Sequence, residues 1–492
     1  MAEKRIVRYK LERHKWPDEI EAEKKEKRKK IILIVVCIAF FISGFAANAL
    51  FHATSASRLS NAKLDTIYDV MKHEFYFAQD GKDYEDALID GAISGMVNAG
   101  EDKHTMYMDA KMASDFTSSM QGSVVGIGVT MYELDHSTFI IADVLKDSPA
   151  LKAGVEAGDR IIEIDGEACT MLSMDQVVEK VRGKSGTQVE LTLLRGEEKI
   201  KKKITREKVY GTVFSEILDD TALIELTTFA DTSGKEFGRH LEDIKKAGVK
   251  KLIIDLRGNG GGYLQSALEI ASYFIPKNSV IFQEQHADGH VEQYYTIDSL
   301  PRYHFDNIAV LVDEGTASAS EALSGALKDQ ANVTIVGTKT YGKGTVQIPY
   351  SFHDGSMIKY TIAEWMTPKG SKINKVGIVP DVVVEQQKAF TTPMPRLEKG
   401  EEFEADSVNV AATSVQIYLK FLGYPADRED AYFSFASSQA LKQYQYDHGL
   451  QADGVIRADV CNSLVSEVIK LQKQEPLRYD IQLKKAMEVV HG

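Results

Sequence analysis

The chain has 492 residues, too many for one ordinary hydrophobic core, so we expect three or more domains. Hydrophobic residues make up 43% and charged residues 27% of it, which is typical of globular proteins and excludes disorder over most of the length. The net charge of −13 argues against nucleic acid as a partner.

The N-terminal region contains the longest apolar segment of the chain. Residues 31–51 carry no charged side chain and are long enough to cross a bilayer as one helix. Because the preceding segment is rich in Lys and Arg, the positive-inside rule predicts that residues 1–30 form a cytoplasmic tail and that the rest lies outside the cytoplasm. A cleaved signal peptide is the alternative, since residues 46–49 are small enough for a cleavage site.

Two regions with different patterns of apolar residues follow. Apolar residues at helical spacing predict helices over residues 59–118, which we interpret as a dimerisation region. Short strands separated by glycine turns then predict a small β domain over residues 119–208, interrupted by one helix near Met174 to Val181.

The second half of the chain reads as an α/β core followed by a helical module. Strands and helices alternate over residues 209–390, to which part of residues 59–118 is added. A charged, proline-containing linker at 391–406 precedes a compact helical module at 407–470 and a C-terminal tail at 471–492. The predicted fold class is therefore multidomain, α+β and α/β, with one transmembrane helix.

The three cysteines, Cys37, Cys169 and Cys461, lie far apart in the sequence. Their spacing fits neither a disulfide framework nor a zinc site, so we expect three unpaired packing residues.

A small-residue turn at Ser318 is a candidate for nucleophilic chemistry. A strand ending near Asp313 and a helix starting near Ser320 would place Ser318 in a strand-to-helix turn, with the Ala319 N–H available to an oxyanion. The alternative is an ordinary helix cap, a task for which Ser320 is also suited.

A serine nucleophile needs a base, and Lys343 is the candidate. Lysine acts as a base only when neutral, which requires burial or a nearby positive charge that lowers its pKa. If residues 345–350 form a strand, Gln347 lies on the same face as Lys343 and could orient its amine.

The segment from Gly337 to Lys343 also resembles a phosphate-binding loop. It departs from that motif because position 344 is glycine instead of Ser or Thr, and because a strand-like segment follows instead of a helix. Nucleotide binding therefore stays a weaker alternative.

A second glycine-rich turn covers Asp255 to Gly262 and joins a buried strand to a helix. It does not complete the dinucleotide-binding fingerprint, because position 263 is tyrosine. Besides a tight crossover, it could supply a second oxyanion donor from the N–H of Gly260 or Gly261.

Three motifs occur in order: DLRGNGGG at 255–262, TASASE at 316–321 and GKGTVQ at 342–347. Together they resemble the carboxy-terminal processing peptidases, the tail-specific serine proteases of family S41. The resemblance implies that Ser318 is the nucleophile, Lys343 its base and Gln347 the partner of the lysine. The sequence departs from the family pattern at Thr316 and Gly260.

Residues 124–208 resemble the PDZ domain of that family. The resemblance implies a carboxylate-binding loop made of Val125, Gly126, Ile127, Gly128 and Val129, since successive backbone N–H groups there could hold a peptide C-terminus. It also implies a gating role for Arg160. The alternative is a small β domain that binds nothing.

The helical module at 407–470 resembles the peptidoglycan-binding type 1 domain, although the segment after Gly454 lacks the usual turn. A purely structural three-helix cap is the alternative.

These observations predict a membrane-anchored serine endopeptidase at the bacterial cell surface, with its catalytic part outside the cytoplasm. It would recognise exposed C-termini through the PDZ domain and cleave cell-envelope or signalling proteins. The expected partners are such substrates, peptidoglycan, a second copy of the chain and an adaptor protein, with no metal or cofactor. The competing hypothesis is a non-catalytic scaffold that uses the same modules.

Overall fold

The structure, a computed structural model, describes a chain that divides into two compact units, Met1–Gly95 and Met96–Gly492. The described residues are Lys25 and residues 58–492, with the exception of 121, 122, 136, 137, 146, 147, 171, 197, 211, 398 and 399.

The prediction of a transmembrane helix over 31–51 is corrected by the finding that no helix among the described residues is both long and apolar enough to cross a membrane. Residues 31–51 themselves lie outside the described part of the chain. The longest described helices have 17 residues and contain charged side chains, whereas a bilayer requires about 20 apolar residues. The predicted single-pass membrane location, with a cytoplasmic tail, depended on that helix and is corrected with it.

The described chain contains fourteen helices, which are numbered here in chain order. They are α1 (Arg58–His73), α2 (Lys82–Asn98), α3 (Ala110–Met120), α4 (Pro149–Lys152), α5 (Met174–Val181), α6 (Ser233–Lys246), α7 (Leu264–Ser272), α8 (Ala319–Ala331), α9 (Lys388–Thr391), α10 (Val410–Phe421), α11 (Phe435–Asp447), α12 (Ala458–Gln474), α13 (Pro476–Tyr479) and α14 (Ile481–His491).

The strands of the described residues are numbered in the same way. They are β1 (Met106–Met108), β2 (Ser123–Gly126), β3 (Val129–Asp135), β4 (Thr138–Val144), β5 (Arg160–Ile164), β6 (Glu167–Ala168), β7 (Gln188–Arg195), β8 (Glu198–Thr205), β9 (Glu207–Tyr210), β10 (Val213–Leu218), β11 (Thr221–Leu226), β12 (Lys251–Asp255), β13 (Val280–His286), β14 (Val291–Tyr295), β15 (Asn307–Val312), β16 (Thr334–Gly337), β17 (Thr345–Ser351), β18 (Met357–Met366), β19 (Val382–Val383), β20 (Ser407–Val408) and β21 (Tyr432–Phe433).

The small β domain is built on a sheet with the order β3-β4-β5-β7-β8, beside which β2 pairs with β9. Strands β2 and β3 are separated by only two residues, Ile127 and Gly128. Gly128 explains the break: its φ is +80°, and a Cβ built there would lie 2.4 Å from Ser148 Cβ. Only glycine fits this backbone without strain.

The α/β core is a six-stranded sheet with the order β10-β11-β12-β15-β16-β19, parallel except for β10. Alternate residues of β12 enter different hydrophobic clusters. Ile254 packs with the side chains of α6, α7 and α8, and Ile253 packs with Leu483 and Val490 of α14. Because helices cover both faces, the parallel strands read as continuous apolar runs in the sequence.

A second sheet of the core has the order β1-β18-β13-β14, with β17 paired to β18. It matters for the site because the segment just before β17 contains Lys343. The pairing of β17 with β18 is shifted by an irregularity between Val346 and Gln347, so the simple alternation assumed from the sequence does not hold there.

The C-terminal helices α10, α11 and α12 enclose a core of their own, which also takes in Ile140 of β4. An ion pair joins Lys473 of α12 to Asp143 of β4, and another joins Arg396, in the segment before α10, to Glu133 of β3. The helical module is therefore packed against the small β domain. Both cysteines within the described range, Cys169 and Cys461, are buried and free.

Candidate active site

Two turns meet at the carboxyl ends of neighbouring parallel strands. Strands β12 and β15 pair in register, so the glycine-rich turn after β12 and the small-residue turn after β15 leave the sheet side by side. The Asn259 carbonyl oxygen accepts hydrogen bonds from the Ala317 N–H at 3.0 Å and from the Ser320 hydroxyl at 2.8 Å. The Thr316 hydroxyl donates to the Leu256 carbonyl at 2.9 Å. These bonds join the two turns into one rigid surface.

Ser318 lies in the strand-to-helix turn where the sequence predicted it, directly before α8. Its backbone has φ 57° and ψ −117°, a conformation that a residue with a Cβ rarely adopts. Such strain costs about 1–3 kcal/mol and persists only when the surroundings enforce it. Ser318 is 8% exposed, so the turn presents a hydroxyl at the edge of the packed core.

The surroundings that enforce this turn centre on the carboxylate of Glu321, which is fully buried in the first turn of α8. Its Oε2 accepts the backbone N–H groups of Ser318 at 2.8 Å and Lys343 at 2.9 Å. Its Oε1 accepts the Gly342 N–H at 2.7 Å and the Thr340 hydroxyl at 2.5 Å. One side chain thus connects the serine turn to the lysine loop.

The backbone donors around Ser318 differ in what they already bind. The Gly261 N–H donates to Asn259 Oδ1 at 2.9 Å, so it is not available to a ligand. Over the described residues, the N–H groups of Gly260 and Ala319 donate to no protein acceptor. Gly261 is still required for shape, because a Cβ built on it would lie 2.8 Å from Ser318 Cβ and 2.9 Å from the Ala319 nitrogen.

The loop of Lys343 is pressed against residues 374–377. A Cβ built on Gly344 would lie 2.2 Å from the Asn374 nitrogen, and one built on Gly342 would lie 2.9 Å from the Gly377 nitrogen. The Lys343 carbonyl accepts the indole N–H of Trp365 at 3.0 Å. The glycines on both sides of Lys343 therefore permit a close approach of two backbones. Strand β17 follows this loop, which does not fit the helix that a phosphate-binding loop would open.

The environment of Lys343 favours its neutral form. Burial, and then the positive charge of Lys359, hold the pKa of Lys343 below its ordinary value, whereas the carboxylates of Asp102 and Glu321 act in the opposite direction. His104 also lies near: burial, and then the charge of Lys343, lower the pKa of its imidazole.

The structure does not bring the three predicted side chains into one hydrogen-bonded chain. Within the described parts, no hydrogen bond joins Ser318 to the Lys343 amine. The Gln347 amide nitrogen donates instead to the hydroxyls of Thr345 at 2.7 Å and Thr361 at 3.2 Å. The backbones of Ser318 and Lys343 are held together through Glu321, while no hydrogen bond joins their side chains among the described residues.

The predicted carboxylate-binding loop borders an apolar groove of about 400 Å³. The Ile127 carbonyl accepts a hydrogen bond from the Ala150 N–H, and the Gly128 carbonyl accepts one from the Leu145 N–H. The N–H groups of Ile127 and Gly128 have no acceptor in the described structure. Side chains from β3, α5 and β9 supply the apolar wall: Met131, Met174, Val178, Val181 and Val209. Arg182 adds a positive charge at the same groove.

Arg160 of β5 is 7% exposed, and its Nη2 donates to the Gly196 carbonyl at 3.2 Å. It also lies near Tyr444 of α11. Burial raises the pKa of the Tyr444 hydroxyl, and the charge of Arg160 opposes that change. The structure thus places Arg160 where the β domain faces the C-terminal helices.

Sequence reasoning missed Glu321, Asp102 and Thr361 as members of the site. A signal for Glu321 was present, because Ser318 and Glu321 have the spacing of a helix capping box. Asp102 and Thr361 are brought together by the pairing of β1 with β18, which no local motif indicates.

We expect Glu321→Gln to reduce the rate at which a fluorophosphonate labels Ser318 by about 100-fold, because each buried N–H left unpaired costs about 1–3 kcal/mol. In the variant, the amide NH₂ would face either the two donors that Oε1 binds now or the two donors that Oε2 binds now, and it could accept from neither. The matched control is Glu314→Gln, an exposed carboxyl in the preceding turn. Equal labelling of both variants, measured by mass spectrometry, would contradict the linking role of Glu321.

The sequence matches four protein families. The descriptions and ranges are Peptidase family S41 over 220–384, PDZ domain over 140–195, putative peptidoglycan binding domain over 410–460, and activating protease CtpB N-terminal domain over 46–112. The resemblances inferred from the motifs are thereby confirmed.

Two relatives of known family align over most of the chain and agree with this assignment. The carboxy-terminal processing protease CtpA of Bacillus subtilis (strain 168) is 32% identical over 467 residues, which cover 94% of this chain and 97% of the relative. CtpB of the same organism is 33% identical over 433 residues, which cover 87% of this chain and 88% of the relative. A solved photosystem II D1 C-terminal processing protease is 28% identical, with a TM-score of 0.40, over 61% of this chain and 82% of that one. Since the motifs, the family matches and near full-length relatives agree, the chain belongs to peptidase family S41 as a serine-type carboxy-terminal processing protease.

Proposed function

We propose that the protein is a serine endopeptidase that uses a Ser318/Lys343 dyad and selects its substrates by their C-termini. The observation that carries this proposal is the Glu321 carboxylate, which binds the backbone N–H groups of both Ser318 and Lys343. Because one buried side chain binds both segments, it holds the backbone of Ser318 next to the backbone of Lys343.

In the proposed reaction, neutral Lys343 takes the proton of the Ser318 hydroxyl while the serine oxygen attacks the scissile carbonyl. The ammonium so formed then gives its proton to the leaving amine, and water completes the hydrolysis of the acyl-enzyme. The lowered pKa of Lys343, due first to burial and then to Lys359, supports this role.

The oxyanion of the tetrahedral intermediate would be held by the N–H groups of Ala319 and Gly260. Both donors are without a protein acceptor over the described residues, and they lie on the two turns that Asn259 joins. Gly261, which the sequence left as an equal candidate, serves better as a spacer, since its N–H is bound by Asn259 Oδ1. Donors fixed before the reaction stabilise developing charge without reorganisation.

Substrate selection is assigned to the groove of the PDZ domain. A peptide C-terminus would place its carboxylate at the N–H groups of Ile127 and Gly128 and its last side chain against the apolar wall. Val125, Gly126 and Val129 complete the loop. Arg160, at the boundary with the C-terminal helices, is proposed to couple occupancy of this groove to the alignment of Ser318 with Lys343.

Other partners follow from the remaining parts. The match to a peptidoglycan-binding domain supports attachment to the cell wall and, with it, cell-envelope or signalling proteins as substrates. Helix α1 exposes Leu64, Ile67 and Val70 at helical spacing, which supports a homodimer formed through this region. An adaptor could act at the same modules.

We expect Ser318→Ala and Lys343→Ala each to lower the cleavage rate of an unfolded reporter peptide by at least about 1,000-fold, because nucleophile and base act as a unit. The controls are the same substitutions at exposed positions, Ser351→Ala and Lys339→Ala, and both should keep full activity. Undiminished cleavage by either dyad variant would refute the dyad. Complete inactivity of the unmodified protein toward all reporters would favour the non-catalytic scaffold.

The proposed groove also makes cleavage depend on the C-terminus of the substrate. Amidating the terminus should raise KM by about tenfold or more, because a hydrogen bond to a charged carboxylate is worth about 1.5–3 kcal/mol. Replacing a terminal leucine by aspartate should also raise KM by about tenfold, because the apolar wall would lose a buried leucine side chain and face a charge. Val178→Asp should raise KM for the leucine peptide in the same way, while Glu179→Gln on the outer side of α5 should not. Equal KM values for all three peptides would show that the groove does not read the terminus.

A further inference from the structure

Gln347 is held at one end of its amide. Its Nε2 donates both protons, one to Thr345 Oγ1 at 2.7 Å and one to Thr361 Oγ1 at 3.2 Å. The amide therefore has a single remaining polar atom, Oε1, with which to meet the Lys343 amine. A glutamine that can rotate by 180° would have no such preference.

The Thr361 hydroxyl is in turn bound by a carboxylate from a distant part of the chain. Asp102 Oδ2 accepts the hydroxyls of Thr361 at 2.5 Å and Thr105 at 2.7 Å, and Asp102 Oδ1 accepts the His104 N–H at 3.0 Å. Although burial alone would raise its pKa, these three hydrogen bonds hold the pKa of Asp102 below its ordinary value. Asp102 is thus ionised and can only accept hydrogen bonds.

An acceptor at one end fixes the direction of every bond in the series. Because Asp102 only accepts, the single proton of the Thr361 hydroxyl must point to Asp102. The Thr361 oxygen is then left as an acceptor toward Gln347, so that the amide must present its Nε2 there. The carboxylate of Asp102 therefore decides which end of the Gln347 amide binds Thr361, and it leaves Oε1 as the end that can accept a hydrogen bond from the Lys343 amine.

We propose that Asp102 is a positioning residue of the protease, which acts through Thr361 to hold the Gln347 carboxamide oxygen toward Lys343. This inference rests on the proposed Ser318/Lys343 dyad and adds to it the means by which the lysine is oriented.

The orientation matters because a neutral lysine has two N–H protons and one lone pair. If Gln347 Oε1 accepts one N–H, the lone pair stays available for the Ser318 proton. With the amide reversed, its NH₂ would donate to the lone pair and compete with Ser318 for it. A reversed amide should therefore lower kcat without changing how substrate binds.

The charged groups that face Lys343 come from several elements, and the test must separate their effect from that of the relay. They are Lys359 of β18, Asp102 and His104 before β1, and Glu321 of α8. Removing the charge of Asp102 lowers the pKa of Lys343, and adding a carboxyl at position 347 raises it. We therefore compare kcat on the high-pH plateau, where Lys343 is neutral in every variant.

The experiment is a double-mutant cycle on peptide cleavage with Asp102→Asn and Gln347→Glu. In Asp102→Asn the relay can reverse, since Asn Nδ2 can donate to Thr361, so kcat should fall by about tenfold, within the usual contribution of positioned proton transfer. In Gln347→Glu the Thr361 hydroxyl has two acceptors and one proton, and kcat should also fall. In the double variant, the Thr361 hydroxyl accepts from the new amide at position 102 and donates to the carboxylate at position 347. That carboxylate still presents an oxygen to Lys343, so kcat of the double variant should exceed kcat of both single variants.

Thr361→Val tests the middle of the relay and should lower kcat by about tenfold with unchanged KM. Its matched control is Thr338→Val, because the Thr338 hydroxyl is buried and has no hydrogen-bond partner within the described residues. Unfolding midpoints of all variants exclude loss of fold as the cause. A native kcat in Thr361→Val, or effects that simply multiply in the cycle, would overturn the proposal. Retained cleavage by Ser318→Ala would instead overturn the dyad itself.

Discussion

The buried carboxylate of Glu321 is the interaction on which the candidate site depends. Its four hydrogen bonds join a strained serine turn to a glycine-flanked lysine loop. Each donor comes from backbone or hydroxyl groups that would otherwise be buried without a partner, which would cost about 1–3 kcal/mol apiece. The left-handed backbone of Ser318 is therefore maintained by the same residue that sets the position of Lys343.

Two strand pairings bring the other residues of the candidate site together around Glu321. The parallel pairing of β12 and β15 brings the Asn259 turn next to Ser318, and the antiparallel pairing of β1 and β18 brings Asp102 next to Thr361. In the proposed reaction, the first arrangement would supply backbone donors for the oxyanion. The second brings a carboxylate acceptor to Thr361, which we propose fixes the orientation of the Gln347 amide. The candidate site thus takes residues from two different sheets of one core.

Local motifs predicted the parts of the site that are local. The turn at Ser318, the strand after Lys343 and the glycine turn at Asp255 to Gly262 follow from residue order, because turn chemistry and strand alternation act over a few residues. The choice between Gly260 and Gly261 could not be predicted, since it depends on where the Asn259 side chain hydrogen-bonds. Asp102 could not be predicted either, because strand pairing brings it to Thr361 from 259 residues away.

The prediction of a membrane helix over 31–51 is corrected for a different reason. An apolar run of sufficient length is a compositional signal, and no helix of the described chain has the length and apolarity that it requires. The family assignment does not depend on it, since it rests on the motifs of the core and on relatives that align over nearly the whole chain.

The central claim is that a neutral Lys343, with its pKa lowered by burial and by Lys359, is the base for Ser318. The most direct measurement is the pH dependence of fluorophosphonate labelling of Ser318 in the native protein and in Lys359→Gln. The account predicts a rate that rises with pH through one ionisation, and it predicts that this ionisation moves to higher pH in the variant, because Lys343 loses a positive neighbour. An ionisation that stays at the same pH in both proteins would contradict it.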